Sequence, residues 1–138
     1  MTSCVIVTPL KRIENPKGDI YHAIKATDVG FAGFGEAYFT SIACGETKGW
    51  KQHTVMHMNL IVPVGDVEFH VREGNFGETS RYIVGKSNYV RLTIPAGYWV
   101  AFSGKGQSLN LVLNVASLAH DPEEAINLPL DAFPLVKG

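Results

Sequence analysis

Gly49-Trp50-Lys51-Gln52-His53-Thr54-Val55-Met56-His57-Met58-Asn59-Leu60 is the stretch on which the reading of this chain turns, with Pro63-Val64-Gly65 after it and Ile94-Pro95-Ala96-Gly97 further on. Side chains alternate across a β-strand. Read as one strand from Gly49 to Val64, the stretch sets Lys51, His53, Val55, His57 and Asn59 on one face. Trp50, Gln52, Thr54, Met56, Met58 and Leu60 fall on the other. The first face is rich in polar and titratable groups and the second is mostly apolar. A strand that holds a ligand on one side reads this way, so Lys51, His53, His57 and Asn59 are expected to point into the interior of a small barrel.

The flanking sequence is short alternating runs broken by Gly and Pro turns, the pattern of an all-β sandwich or barrel. An N-terminal strand is expected over Val5 to Ile13, with turns or loops at Asn15 to Asp19 and Gly30 to Gly35, and a strand over Ala37 to Ala43. Gly65-Asp66 reads as a tight hairpin leading into Val67 to Arg72, where Val67, Phe69 and Val71 alternate with Glu68, His70 and Arg72. A loop over 73–77 and strands near Ser80 to Val84, Tyr89 to Ile94, Tyr98 to Phe102 and Leu109 to Ala116 follow. Asp121-Pro122-Glu123-Glu124 alone reads as a helical turn, with Asp121 as N-cap and Pro122 at the first helical position.

With 138 residues, 46% of them hydrophobic, the chain suits one domain with a core that needs no disulfides. The formal net charge of -1 gives no electrostatic support to nucleic acid or an anionic membrane as a partner. No segment approaches the roughly 18 apolar residues of a spanning helix. The apolar run Cys4 to Val7 is too short for a signal peptide and no basic residues precede it. Cys4 and Cys44 stand outside any CxxC or Cys/His spacing, which fits a reducing compartment, and a cytoplasmic location is expected.

The Gly-turned histidine strand followed by a Pro-x-Gly turn resembles the two signature segments of cupins, implying an all-β cupin jelly-roll barrel with a short C-terminal helical turn. Metal-binding cupins add an HxH pair, a Glu four residues on and a third His beyond the Pro-x-Gly turn. Here Lys51, His53 and His57 stand at the first three positions and Val100 at the last. Valine is no ligand and an ammonium is a poor one, so no metal and no other cofactor is expected. His53 and His57 as packed interior histidines is the plain alternative, against which stands the clustering of Lys51 and Asn59 on the same face. His22, His70 and His120 read as ordinary, His70 on the charged face of its strand. Met56 and Met58 read as core. Trp50 and Trp99 could pack in the wall or stack on a base or sugar.

From Glu36 to Asp131 the chain resembles the dTDP-4-dehydrorhamnose 3,5-epimerase family of metal-independent cupins, and within it a short branch. The resemblance is carried by Gly33-Phe34-Gly35-Glu36-Ala37-Tyr38, Lys48-Gly49-Trp50, Asn59 to Gly65, Leu92-Thr93-Ile94-Pro95, Ser108 to Asn114 and His120-Asp121-Pro122. The family's Leu-Arg-Gly-Leu-His signature lines up with Thr47 to Lys51. By that resemblance Lys48 stands where an Arg contacts the substrate diphosphate, Lys51 where the general-base His stands, and Glu36 and Tyr38 at substrate-contacting positions. The family's catalytic Tyr falls on Asn114, and part of its His-supporting carboxylate lies in a C-terminal segment this chain lacks.

The site expected is therefore His53 and Lys51 as the catalytic pair, His53 the better base, with Glu36, Tyr38, Lys48, His57, Asn59 and Asn114 binding substrate. The activity implied is epimerisation or ketoisomerisation of a nucleotide-linked 4-keto-6-deoxy sugar by proton transfer. The alternatives are a non-catalytic barrel binding a sugar or small acid, and a metal cupin resting on His53 and His57. A homodimer is expected, with residues 1–35 extending a neighbour's sheet and 36–120 forming the core of the single domain.

Overall fold

Antiparallel strands dominate the computed structural model, which describes residues 4–74 and 77–135. In chain order they are β1 (Ile6–Pro9), β2 (Arg12–Ile13), β3 (Ile20–Tyr21), β4 (Glu36–Ser41), β5 (Thr47–His53), β6 (Met58–Val64), β7 (Asp66–Glu73), β8 (Thr79–Gly85), β9 (Val90–Ile94), β10 (Tyr98–Gly104), β11 (Leu111–Ala116) and β12 (Ala125–Asn127). Single 3₁₀ turns occupy Pro122–Glu124 and Leu130–Ala132. One sheet has the order β1-β9-β6-β11-β4 and the other β12-β5-β10-β7-β8, with β2 and β3 as a separate hairpin. This is the expected all-β jelly roll with its short C-terminal helical turn. The two sheets face each other but do not close into a barrel. Of the loop expected over 73–77, residues 75 and 76 lie outside the described residues.

The decisive stretch is two strands. β5 belongs to the second sheet and β6 to the first, and residues 54–57 carry the chain across between them. Glu124 explains the break: its carboxylate Oε2 accepts from the amides of Val55 at 3.0 Å and Met56 at 2.9 Å, while Thr54 binds its carbonyl. Those amides would otherwise serve a continuous ladder. The crossing resets the alternation, so Met58, Leu60 and Val62 of β6 join the core between the sheets with Val67, Phe69 and Val71 of β7. Asn59 faces the other way. Its Oδ1 accepts from Arg91 Nε at 3.2 Å and Thr93 Oγ1 at 2.5 Å, and its Nδ2 donates to Gly30 O at 3.0 Å. The fully buried Arg91 also donates to Ala23 O at 2.8 Å and Asp28 Oδ2 at 3.2 Å, pinning the loop before β4 to the outside of the first sheet.

The N-terminal strand expected over Val5 to Ile13 breaks into β1 and β2, and β1 pairs with β9 of its own chain, Ile6 opposite Thr93, at the edge of the first sheet. The charged face of β7 is buried, Glu68, His70 and Arg72 alike. His70 Nε2 lies 3.0 Å from Glu68 Oε1, and the Arg72 guanidinium sits 4.1 Å from the centre of the Phe133 ring. Phe133 belongs to a C-terminal strap that with Leu128 and Leu135 covers Trp50 and Trp99 on the outside of the second sheet. Trp50 Nε1 donates to Leu130 O at 3.0 Å. Both tryptophans are therefore wall residues, their rings shielded from any ligand between the sheets.

Candidate functional site

A cavity of about 280 Å³ opens between the two sheets, just under the usual range for ligand pockets. β5 supplies Lys48, Gly49, Lys51 and His53 to it, and β4 and β11 supply Tyr38, Thr40, Val112 and Asn114 from the facing sheet. Met58, Leu60, Phe69, Val100 and Phe102 form an apolar floor, and Asn127 of β12 lies beside Lys51.

Strict alternation would put Lys48 and Lys51 on opposite faces. They share one because β5 carries an extra residue: Lys51 pairs with Val100 and Lys48 with Phe102, so three steps on β5 match two on β10. Gly49 is where this is accommodated. Its φ of +150° is glycine territory, and a Cβ there would lie 2.5 Å from the Ala101 Cβ. Lys48 Nζ donates to Ser41 O at 2.8 Å, linking β5 to the end of β4. Among the described residues no hydrogen bond or ion pair engages the Lys51 ammonium, which is left available to a ligand.

His53 is 8% exposed, and its Nδ1 lies 2.7 Å from Glu124 Oε1. Burial of Glu124 works to raise its pKa. Against this stand the hydrogen bonds from His53, Met56 and Val55 and the charge of His53, which together hold the carboxyl down at about 2. An ionised Glu124 only accepts, so the proton of the His53–Glu124 bond sits on Nδ1, and Nε2 is the ring nitrogen left to exchange a proton with a ligand. A carboxylate-oriented imidazole lining a cavity is the arrangement of a general base. This support comes from the chain's own 3₁₀ turn, not from a further C-terminal segment. The sequence signal was present in Asp121-Pro122-Glu123-Glu124. Asp121 does cap that turn, its Oδ1 accepting from Glu123 N at 3.1 Å, but the cap hid the carboxylate that follows it.

Of the expected site residues, the cavity brings together His53, Lys51, Lys48, Tyr38 and Asn114. Asn114 Nδ2 donates to Tyr38 Oη at 3.2 Å across the β4–β11 ladder, where the two residues are direct partners. Asn59, His57 and Glu36 are not in the lining. Asn59 is on the far face of β6. His57 is half-buried in the crossing, where its backbone exchanges hydrogen bonds with Ser117 Oγ and N. Glu36 opens β4, opposite Ala116. Glu124, Asn127 and Thr40 are site residues the sequence reading passed over. Among the described residues no group of three His, Cys, Asp or Glu side chains is placed to hold a metal ion.

No family model matches the sequence and no curated protein matches it. Solved structures do. A dTDP sugar isomerase from Desulfovibrio desulfuricans superposes with a TM-score of 0.88 at 28% identity, over 93% of this chain and 85% of that one. The chain is an epimerase-like cupin in fold. A 3,4-ketoisomerase from Thermoanaerobacterium thermosaccharolyticum, solved with TDP-4-keto-6-deoxyglucose, shares this cupin fold with a TM-score of 0.77 at 20% identity, covering 91% of this chain and 88% of that one. A dTDP-6-deoxy-D-glucose-3,5-epimerase from Legionella pneumophila, solved with dTDP-4-keto-L-rhamnose, gives 0.79 at 17% identity, covering 97% and 79%.

Proposed function

We propose that this cupin is a nucleotide-sugar epimerase or ketoisomerase that acts on a 4-keto-6-deoxy sugar by metal-independent proton transfer. The observation that carries the reading is the His53–Glu124 pair beside an unengaged lysine in a cavity of sugar size. His53 Nε2 removes the proton from the carbon next to the ketone. The Lys51 ammonium faces the negative charge that then develops on the ketone oxygen. Lys48, exposed where β5 approaches the end of β4, pairs with the diphosphate while the sugar enters between the sheets. The likeness to a dTDP sugar isomerase at 28% identity supports the same substrate class.

The test is solvent deuterium incorporation beside the ketone, followed by NMR, with dTDP-, GDP- and UDP-linked 4-keto-6-deoxy sugars. Incorporation into at least one of them is expected. Binding without incorporation into any would favour a non-catalytic sugar-binding cupin. Lys48→Ala should weaken binding of dTDP about 5–20-fold, as loss of a charge-assisted contact does, and change the exchange rate at saturation little. An unchanged affinity for dTDP would remove Lys48 from the diphosphate.

The reading includes a cytoplasmic homodimer. Phe34 and Phe39, 66% and 62% exposed, lie at β4 and just before it and support an apolar contact between copies. Sedimentation showing only monomer at concentrations where the enzyme is active would exclude the dimer.

A further inference from the structure

We infer that Tyr38 is the proton donor to the ketone oxygen, with Asn114 as its positioning residue; this rests on the proposed function above and assigns the acid it leaves open. Tyr38 comes from β4 in the first sheet and His53 from β5 in the second, so base and phenol reach the cavity from facing walls. Asn114 is 2% exposed and turns its amide, not its carbonyl, to the phenol: Nδ2 donates to Tyr38 Oη. A phenol oxygen that already accepts holds its own proton for another acceptor. Among the described residues no protein atom takes it. The carboxamide keeps this orientation although its Oδ1 is buried without a partner, a cost of about 1–3 kcal/mol for an unsatisfied buried acceptor. An amide that serves the phenol at the expense of its own oxygen has its role at the phenol.

The chemistry balances without a co-reactant. His53 Nε2 takes the proton from the carbon beside the ketone, and the C–H electron pair becomes the carbon–carbon double bond. The carbonyl electron pair moves to oxygen, which takes the proton of Tyr38. The tyrosinate that results keeps the Asn114 amide bond, now charge-assisted and stronger. When carbon is reprotonated by the imidazolium, the enol gives its proton back to Tyr38. Enols and phenols are acids of similar strength, which suits a transfer between them. Lys51 balances charge during the step, and Tyr38 ends it. The family's hydroxyl position on β11 is an amide here, and the hydroxyl stands on the residue directly across the ladder.

The experiment measures deuterium incorporation beside the ketone of a dTDP-4-keto-6-deoxy sugar together with calorimetric affinity for dTDP. Tyr38→Phe keeps the ring and should lower the exchange rate about 100-fold or more, with dTDP affinity within about threefold of wild type. Asn114→Asp is isosteric but presents acceptors that capture the phenol proton. A loss comparable to that of Tyr38→Phe is expected, whereas a packing role would survive the swap. Exchange by Tyr38→Phe within about threefold of wild type overturns the assignment and leaves the proposed function standing. So does exchange that persists while net conversion stops, which would move Tyr38 from the oxygen to the carbon. Loss of dTDP affinity as large as the loss of exchange assigns the hydroxyl to binding and also overturns it. No exchange by the wild-type protein overturns both.

Discussion

Exchange of the proton beside the ketone falls about 10²–10⁴-fold in His53→Ala, the range expected when a positioned general base is removed. Binding of dTDP should stay close to wild type, because in the proposed function the imidazole acts on the sugar and the exposed Lys48 pairs with the diphosphate. The loss thus appears in the rate at saturation and not in affinity. NMR of the sugar in deuterated buffer reads the rate, and calorimetry with dTDP reads the binding. A His53→Ala protein that still exchanges at a tenth of the wild-type rate or more would transfer the base role to Lys51, the position the family signature aligns with its histidine. The cavity lining places both residues at the same wall, so the experiment chooses between them.

Glu124→Gln should lose both activity and stability. It removes the charge that fixes the His53 tautomer and cuts the acceptors offered to His53, Val55 and Met56. Breaking a buried pair of this kind costs about 3–5 kcal/mol, and a glutamine that keeps part of the contacts should cost about 2–4 kcal/mol. The pH dependence follows from the carboxyl being held at about 2 against an ordinary 4.5. The folded-state pKa is depressed, so the contribution is complete above 4.5 and is lost as pH falls from 4.5 toward 2, where the unfolded chain binds the extra proton. Denaturant titrations from pH 7 downward should show wild type losing its advantage over Glu124→Gln across that interval. Parallel curves for the two proteins would mean that Glu124 is not the linked group.

The alternation around Lys51 and His53 was readable because those two residues lie on a regular stretch of strand, the part of β5 beyond its bulge. Val67, Phe69 and Val71 were readable as core for the same reason. Asn59 and His57 were misplaced because nothing local in Thr54 to His57 announces a change of sheet. The break depends on Glu124, a residue distant in sequence, and the alternation resets after it. The shared face of Lys48 and Lys51 was hidden for a related reason: a bulge is a property of two strands, and β10 supplies half of it. Glu68, His70 and Arg72 were readable only as a charged face, and an alternating strand usually has a wet side. The cover over part of that face becomes visible only once Phe133 is seen on Arg72.

The bond between His53 and Glu124 closes a loop of 71 residues. Within that loop lie six whole strands, and they belong to both sheets. Loop-closure entropy makes a contact of this span favourable only after most intervening pairings have formed. The base is therefore assembled at the end of the folding reaction and shares its cooperativity. A partly folded chain, even one with a formed hairpin of β7 and β8, has no oriented imidazole to offer a sugar.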